Sequence, residues 1–243
     1  MSHLFCSTVN LQEVLILYVM AFLPPILYVI WIRNTEKFER EKWKPIFICF
    51  LWGGTISVVA AIFLELIFHF SLVPSIDNPN VLELVSVIII APFVEELTKP
   101  LALRLKTVKR EIDEFEDGLI YGAVAGLGFS ATENFLYGRS FLTYGLLLFF
   151  ILITIRSIGG CLLHASATAW TGYGYGKTLM KHTSLIHVIP YFLLAFIVHG
   201  LYNSILSFKE VGVFVSIIVA LTFTIFSIQI VRKKIITLDR RSS

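Results

Sequence analysis

Residues 88–101 read IIIAPFVEELTKPL and place Glu95, Glu96 and Lys99 inside an otherwise apolar stretch. An ionisable side chain at the depth of a bilayer costs several kcal/mol, so this group must pair internally or line a water-filled cavity. On a helix Glu95 and Lys99 are four residues apart and share a face, whereas Glu96 points about 100° away. The pattern indicates either a buried salt bridge that joins two helices or a functional site.

The composition of the whole chain is typical of a membrane protein. Its 243 residues are 56% hydrophobic and 15% charged, and the mean hydropathy is +0.80. These values predict one integral-membrane domain over residues 1–243 rather than a soluble core. The net charge of only +3 gives no reason to expect a nucleic-acid partner. The three scattered cysteines fit neither a disulfide framework nor a CxxC metal site.

Seven apolar segments are long enough to cross a bilayer. They are residues 12–32, 46–70, 81–104, 118–137, 141–177, 185–207 and 211–231. The fifth segment is too long for one straight helix and is expected to bend or split at Gly159-Gly160. We therefore predict an all-α, multi-pass helix bundle in the cell membrane.

The basic residues that follow these segments number 5, 0, 4, 1, 2, 1 and 5. By the positive-inside rule, this alternation predicts seven crossings, with the N-terminus outside and the C-terminus in the cytoplasm. The connection 106–116 mixes acidic and basic residues and is expected to be a solvated connector.

Small or polar residues recur every four positions in two of the segments, which predicts that their helices approach each other closely. In the fourth segment they are Gly118, Gly122, Gly126, Ser130 and Asn134. In the fifth they are Gly160, His164, Thr168, Gly172 and Gly176. Glu133 lies beside the first stripe, and in the sixth segment His199 and Asn203 share a face. Arg156 is expected either to neutralise Glu133 or to bind a carboxylate of a substrate.

Four polar side chains fall at a similar depth when 1.5 Å per residue is counted from the predicted cytoplasmic ends. Glu95, Glu133, His164 and His199 all lie in or just above the middle third of a hydrocarbon core about 30 Å thick. Such convergence indicates a shared catalytic or metal site. Two imidazoles and a carboxylate can hold zinc with a position open for water. Without metal, Glu95 can activate water while His199 and Asn203 donate to an oxyanion.

The two adjacent glutamates are expected to have different roles. Glu95 shares its face with Lys99, which can keep it charged and oriented, so Glu95 is the predicted general base. Glu96 faces another neighbour and is expected to bind metal or to secure substrate.

Three motifs, EELTK at 95–99, DGLIYGAVAGLGFSATEN at 117–134 and HGLYN at 199–203, resemble the PrsW family of intramembrane proteases. That family lies in the superfamily of the CAAX prenyl endopeptidases and bacteriocin-processing enzymes. The resemblance runs from about Ala91 to Ser204, and the motif-bearing core is about 81–207. It implies catalytic or ligand roles for Glu95, Glu96, Glu133, His164 and His199, with Lys99, Asn134 and Asn203 in support. If a metal such as zinc is bound, the expected ligands are Glu133, His164 and His199.

The resemblance implies hydrolysis of a peptide bond in a membrane-anchored protein, such as an anti-sigma factor or another single-span protein. It leaves a metal-dependent and a glutamate-dependent mechanism both open. The expected partners are this protein substrate and the lipid bilayer. Intramembrane carboxylates and histidines also build proton relays, so a proton- or ion-coupled transporter is the alternative. No internal repeat relates the two halves of the sequence, which favours the protease.

Overall fold

The computed structural model describes residues 11–208 and 212–242, and within these ranges the regular secondary structure is helical. The helices, in chain order, are α1 (Leu11–Arg33), α2 (Trp43–Ser75), α3 (79–104), α4 (Lys106–Lys109), α5 (Asp117–Leu142), α6 (Leu146–Met180), α7 (Leu185–Ser207) and α8 (Val213–Ser242). Two of them contain a wider π-helical turn, at Gly53–Ser57 in α2 and at Ser86–Ile90 in α3. The all-α prediction is confirmed for the described residues.

Five of the described helices, namely α1, α2, α6, α7 and α8, are long and apolar enough to cross a membrane. Helix α3 carries the EELTK motif and α5 the glycine-rich stripe, and these residues lower the hydropathy of both helices. The predicted fifth segment is not split, because α6 is one helix of 35 residues. Residues 141 and 142 instead end α5, and Gly145, with φ of 94°, forms the turn into α6.

Helix α5 lies at the centre of the bundle and packs antiparallel against α6 through the predicted stripe. An ideal Cβ on Gly118 would lie 3.0 Å from the carbonyl carbon of Gly172, and one on Gly126 would lie 2.6 Å from that of His164. The two backbones therefore touch along the interface, and only glycine leaves room for this approach. The contact fixes the position of His164 relative to α5.

The opposite face of α5 packs against α2. Here too glycines meet, since a Cβ on Gly54 would lie 3.0 Å from the carbonyl oxygen of Gly128. The hydroxyl of Thr132 donates to the carbonyl of Gly54 over 2.6 Å. Helix α5 is thus enclosed between α2 and α6, and most of its first half is buried.

Helix α7 packs on the irregular part of α3. Pro92 has no N–H to donate, and the carbonyl of Ile88 faces Gly200, whose ideal Cβ would lie 2.9 Å away. The amide of Asn203 donates to the carbonyl of Val87 over 2.8 Å. The HGLYN motif therefore satisfies and covers the distorted backbone of α3, and this contact carries His199 to the EELTK motif.

One end of the bundle gathers three distant parts of the chain. Asp239, in α8, accepts hydrogen bonds from the backbone N–H groups of Lys37 and Phe38, at 3.1 and 3.3 Å. Lys42, just before α2, forms an ion pair of 2.6 Å with Glu111, in the connection before α5. The basic connections after α1 and α3 and the C-terminal part of α8 therefore lie at the same end.

Candidate active site

Lys99 lies at the centre of a buried polar network and is itself fully buried. Its ammonium donates to Glu95 Oε2 over 2.8 Å and to Glu96 Oε1 over 2.9 Å. The third neighbour is His164 Nδ1, 2.8 Å away. An ammonium has three donors and no acceptor, so Nδ1 accepts this bond and the proton of His164 lies on Nε2. Lys99 thus joins α3 to α6 and fixes the tautomer of His164.

The network continues from His164 to Glu133 and Arg156. His164 Nε2 lies 2.7 Å from Glu133 Oε2 and, in this tautomer, donates to it. The same oxygen lies 2.9 Å from Arg156 Nη2, which makes an ion pair but no hydrogen bond. Arg156 Nε donates to Asn134 Oδ1 over 3.2 Å. The expectation that Arg156 can neutralise Glu133 is therefore confirmed.

Glu96 is held from three sides and has no exposed surface. Besides Lys99, it accepts a hydrogen bond from the hydroxyl of Thr168 over 2.8 Å. His199 Nδ1 lies 3.0 Å from Glu96 Oε1, and donation to this carboxylate leaves the proton on Nδ1. The lone pair of His199 is therefore on Nε2, which lies 3.9 Å from Glu95 Oε2.

A cavity of about 240 Å³ adjoins the network. Its wall includes Glu95, Glu133, Arg156, His164, His199 and Asn203. Glu95 retains 7% of its surface, whereas Glu96 is sealed. The two adjacent glutamates thus differ as expected from their positions on the helix, although Lys99 contacts both.

One group of side chains in this network could hold a metal ion. Potential ligand atoms of Glu95, His164 and His199 lie within 4.8 Å of one another. Glu133, the carboxylate of the expected ligand set, instead lies against Arg156 and His164 Nε2. Two imidazoles and a carboxylate fit zinc, and the bond from His199 Nδ1 to Glu96 would orient that ligand. A metal at His164 Nδ1 requires the ammonium of Lys99 to turn away from it.

Every residue of the predicted site is in or beside the network. Asn134 and Asn203 act at its margin, the first on Arg156 and the second on the backbone of α3. The contact of Thr168 with Glu96 was not predicted, although Thr168 lies on the stripe of α6 one turn after His164. Tyr202, the fourth residue of the HGLYN motif, was also missed and lines the cavity.

Comparison with known proteins gives one family. The model described as PrsW family intramembrane metalloprotease matches residues 41–229. Protease PrsW of Clostridioides difficile (strain 630) is 30% identical over 123 residues, which are 50% of this chain and 50% of that protein. The chain thus spans about half the length of the curated relative it matches. No solved structure gives a significant match. The family match and the five apolar helices identify a multi-pass membrane protein.

Proposed function

The chain belongs to the PrsW family of intramembrane metalloproteases, and on that premise we propose that it hydrolyses a peptide bond of a membrane-anchored protein. The substrate class is a single-span protein, of which anti-sigma factors are one kind, and the location is the cell membrane. The observation that carries the proposal is the buried network around Lys99, which joins carboxylates and imidazoles from four helices beside a cavity.

Glu95 is the general base of the proposed reaction. Its carboxylate lines the cavity and is oriented by Lys99, so it can accept a proton from a water molecule there. The oxygen of this water attacks the scissile carbonyl carbon, and the carbonyl electrons move onto its oxygen. When the C–N bond breaks, protonated Glu95 returns the proton to the leaving amine. One water molecule is consumed, and an acid and an amine are released.

The other members of the network position the base and compensate charge. Glu96 holds His199 and Lys99, and it stays ionised because Lys99, Thr168 and His199 all donate to it. Arg156 lines the cavity and is paired with Glu133 through Nη2 at 2.9 Å. That cation can stabilise the negative oxygen that develops during attack.

A zinc ion would be held by Glu95, His164 and His199, whose ligand atoms already lie close together. When bound, it would supply a water molecule of lowered pKa and polarise the scissile carbonyl. Glu95 would then be a ligand of the ion, so the role of Glu95 as general base applies to the metal-free site. Lys99 would then pair with the two carboxylates alone. Glu133 would still accept the hydrogen bond from His164 Nε2–H and so keep the imidazole ring oriented.

Seven crossings are the topology that we propose. Helix α5 lies antiparallel to α6 through the glycine contacts, and its 26 residues extend about 39 Å, enough to cross the hydrocarbon core. Helix α3 is shielded from lipid on its polar side by α6 and α7. The basic connections at one end would then face the cytoplasm. No contact in the described residues favours the transporter alternative.

Cleavage of a single-span reporter by the purified protein in liposomes tests the proposed activity. We expect the wild type to cut the reporter within its membrane segment and Glu95→Gln to lose at least 10²-fold in rate. Glu83→Gln is the matched control, because it removes an exposed carboxylate from the same helix, far from the network. Equal rates for Glu95→Gln and Glu83→Gln in folded protein would show that Glu95 is not the base.

A further inference from the structure

A second group of acidic side chains lies outside the candidate active site, at the end of the bundle that gathers the basic connections. Glu36 comes from the connection after α1, Glu116 from the residue before α5, and Asp239 from α8. The first two have no exposed surface, and Asp239 retains 2%. Potential ligand oxygens of the three lie within 4.8 Å of one another. We call these three residues the acidic cluster.

The hydrogen bonds of the acidic cluster are incomplete. Glu36 Oε2 accepts from the N–H of Glu41, and Asp239 accepts from the backbone of the same connection. Glu36 Oε1 and both carboxylate oxygens of Glu116 have no hydrogen-bond partner among the described residues. Burial of a carboxylate without hydrogen-bond partners costs free energy, and native proteins rarely contain such a group. The unpaired oxygens of fully buried side chains therefore point to a missing partner.

Neighbouring residues add further negative charge to the surroundings of the acidic cluster. Asp117 is buried beside the cluster and forms a second candidate group with Glu36 and Glu114. Burial, with the nearby carboxylates adding to it, raises the pKa of Glu36 to about 8 and that of Glu116 to about 7. Within the described chain, no lysine or arginine lies within ion-pair distance of Glu36, Glu116 or Asp239.

We propose that the acidic cluster binds a hard divalent cation, Mg²⁺ or Ca²⁺. Both ions take oxygen ligands, and two oxygens bound to one Ca²⁺ are at most about 5 Å apart, which the observed spacing meets. The ion gives the free oxygens of Glu36 and Glu116 their partner. It also ties together three segments that are 80 and 123 residues apart in sequence. Its role is to clamp this end of the bundle.

The cluster differs in chemistry from the group around Lys99. Its ligands are carboxylate oxygens alone, whereas the other group contains two imidazoles. Oxygen-only sites select magnesium and calcium, and imidazole sites select zinc. Occupation of the two sites can therefore be measured separately.

Thermal unfolding of the full chain in detergent, after removal of metals with EDTA, tests the proposal. We expect MgCl₂ or CaCl₂, added separately, to raise the melting temperature by on the order of 5 °C at a hundredfold excess over Kd. The ion with the larger effect identifies the ligand. Glu36→Gln and Glu116→Gln should abolish the shift, whereas Glu39→Gln, an exposed carboxylate of the same connection, should keep it.

Direct binding of Mn²⁺, followed by its electron paramagnetic resonance signal, tests the acidic cluster without changing any of its own residues. In a His199→Ala background, about one tightly bound ion per chain is expected, displaced by the ion that stabilises the wild type. The proposal is wrong if neither salt shifts unfolding and no Mn²⁺ binds. It is also wrong if the shift persists in both cluster variants. Stabilisation only by lowering the pH from 8 to 6 would mean that protons neutralise the cluster, which equally overturns it.

Discussion

Replacement of Gly126 by alanine is the sharpest test of how the fold positions the site. The new Cβ would lie 2.6 Å from the carbonyl carbon of His164, where an ordinary contact is at least 3.4 Å. The atom in the way is backbone, so α5 and α6 must separate by at least about 0.8 Å. His164 would move with its helix and lengthen its contacts of 2.8 Å to Lys99 and 2.7 Å to Glu133 beyond hydrogen-bond range.

The expected loss follows from these two contacts. Hydrogen bonds to charged groups contribute about 1.5–3 kcal/mol each, so the variant should lose about 3–6 kcal/mol if both break. A misplacement near 1 Å in a catalytic arrangement costs about 10²-fold in rate. Thermal unfolding in detergent and reporter cleavage measure the two effects. Gly176→Ala is the control, because its Cβ would lie 3.2 Å from Gly118 Cα and demands only a few tenths of an ångström. If Gly126→Ala matches this control in both assays, the helices are not held by backbone contact at His164.

Three further predictions concern charge, topology and metal. Lys99→Met leaves two buried carboxylates without their cation and should destabilise the protein by about 3–5 kcal/mol. The control Lys109→Met changes an exposed lysine and should affect unfolding little. Equal melting temperatures for the two variants would contradict the stabilising role of Lys99. A reporter fused after Arg241 should report the cytoplasm and one within 71–80 the outside; the same side for both would rule out seven crossings. Metal analysis of the purified protein should find about one zinc ion per chain, and His199→Ala should lose both this ion and the cleavage activity. If the protein is active without zinc, Glu95 is the only group that activates water.

The sequence predicts which side chains meet in the network because several of their contacts follow local rules. The spacing of Glu95 and Lys99 by one helical turn predicts their ion pair, and the structure contains it. The four-residue period of the glycines predicts the close contact of α5 and α6, which brings His164 to Lys99. Charged groups inside apolar segments can be recognised without any knowledge of tertiary contacts.

Other features depend on contacts that no local pattern reveals. The bond of Thr168 to Glu96 requires the rotation of α6 against α3, and sequence spacing does not give that rotation. Of the bend or split expected at Gly159-Gly160, the split is absent, because residues 141 and 142 belong to α5 and the rest of the segment forms one long helix. Helices α3 and α5 are not among the five apolar helices, because α3 carries the charged residues of the EELTK motif and α5 is rich in small and polar residues.

The acidic cluster shows the largest difference between expectation and structure. The connection 106–116 was expected to be solvated, and most of its charged residues are at least partly exposed. Glu116 is the exception, because α8 and the connection after α1 cover it. A charged residue in a mixed-charge loop looks solvated in sequence, and only the tertiary contacts that bring Glu36 and Asp239 to Glu116 reveal the burial.

The central claim is that water activated at this site cleaves a peptide bond within the membrane. Reporter cleavage by the purified protein in ¹⁸O-labelled water, followed by mass spectrometry of both fragments, measures this directly. We predict one heavy oxygen atom in the new carboxyl group of the N-terminal fragment and an unlabelled amine on the other, at a rate that Glu95→Gln lowers by at least 10²-fold. Labelled product formed by Glu95→Gln at the wild-type rate, or cleavage that leaves the new carboxyl group unlabelled, would contradict the account.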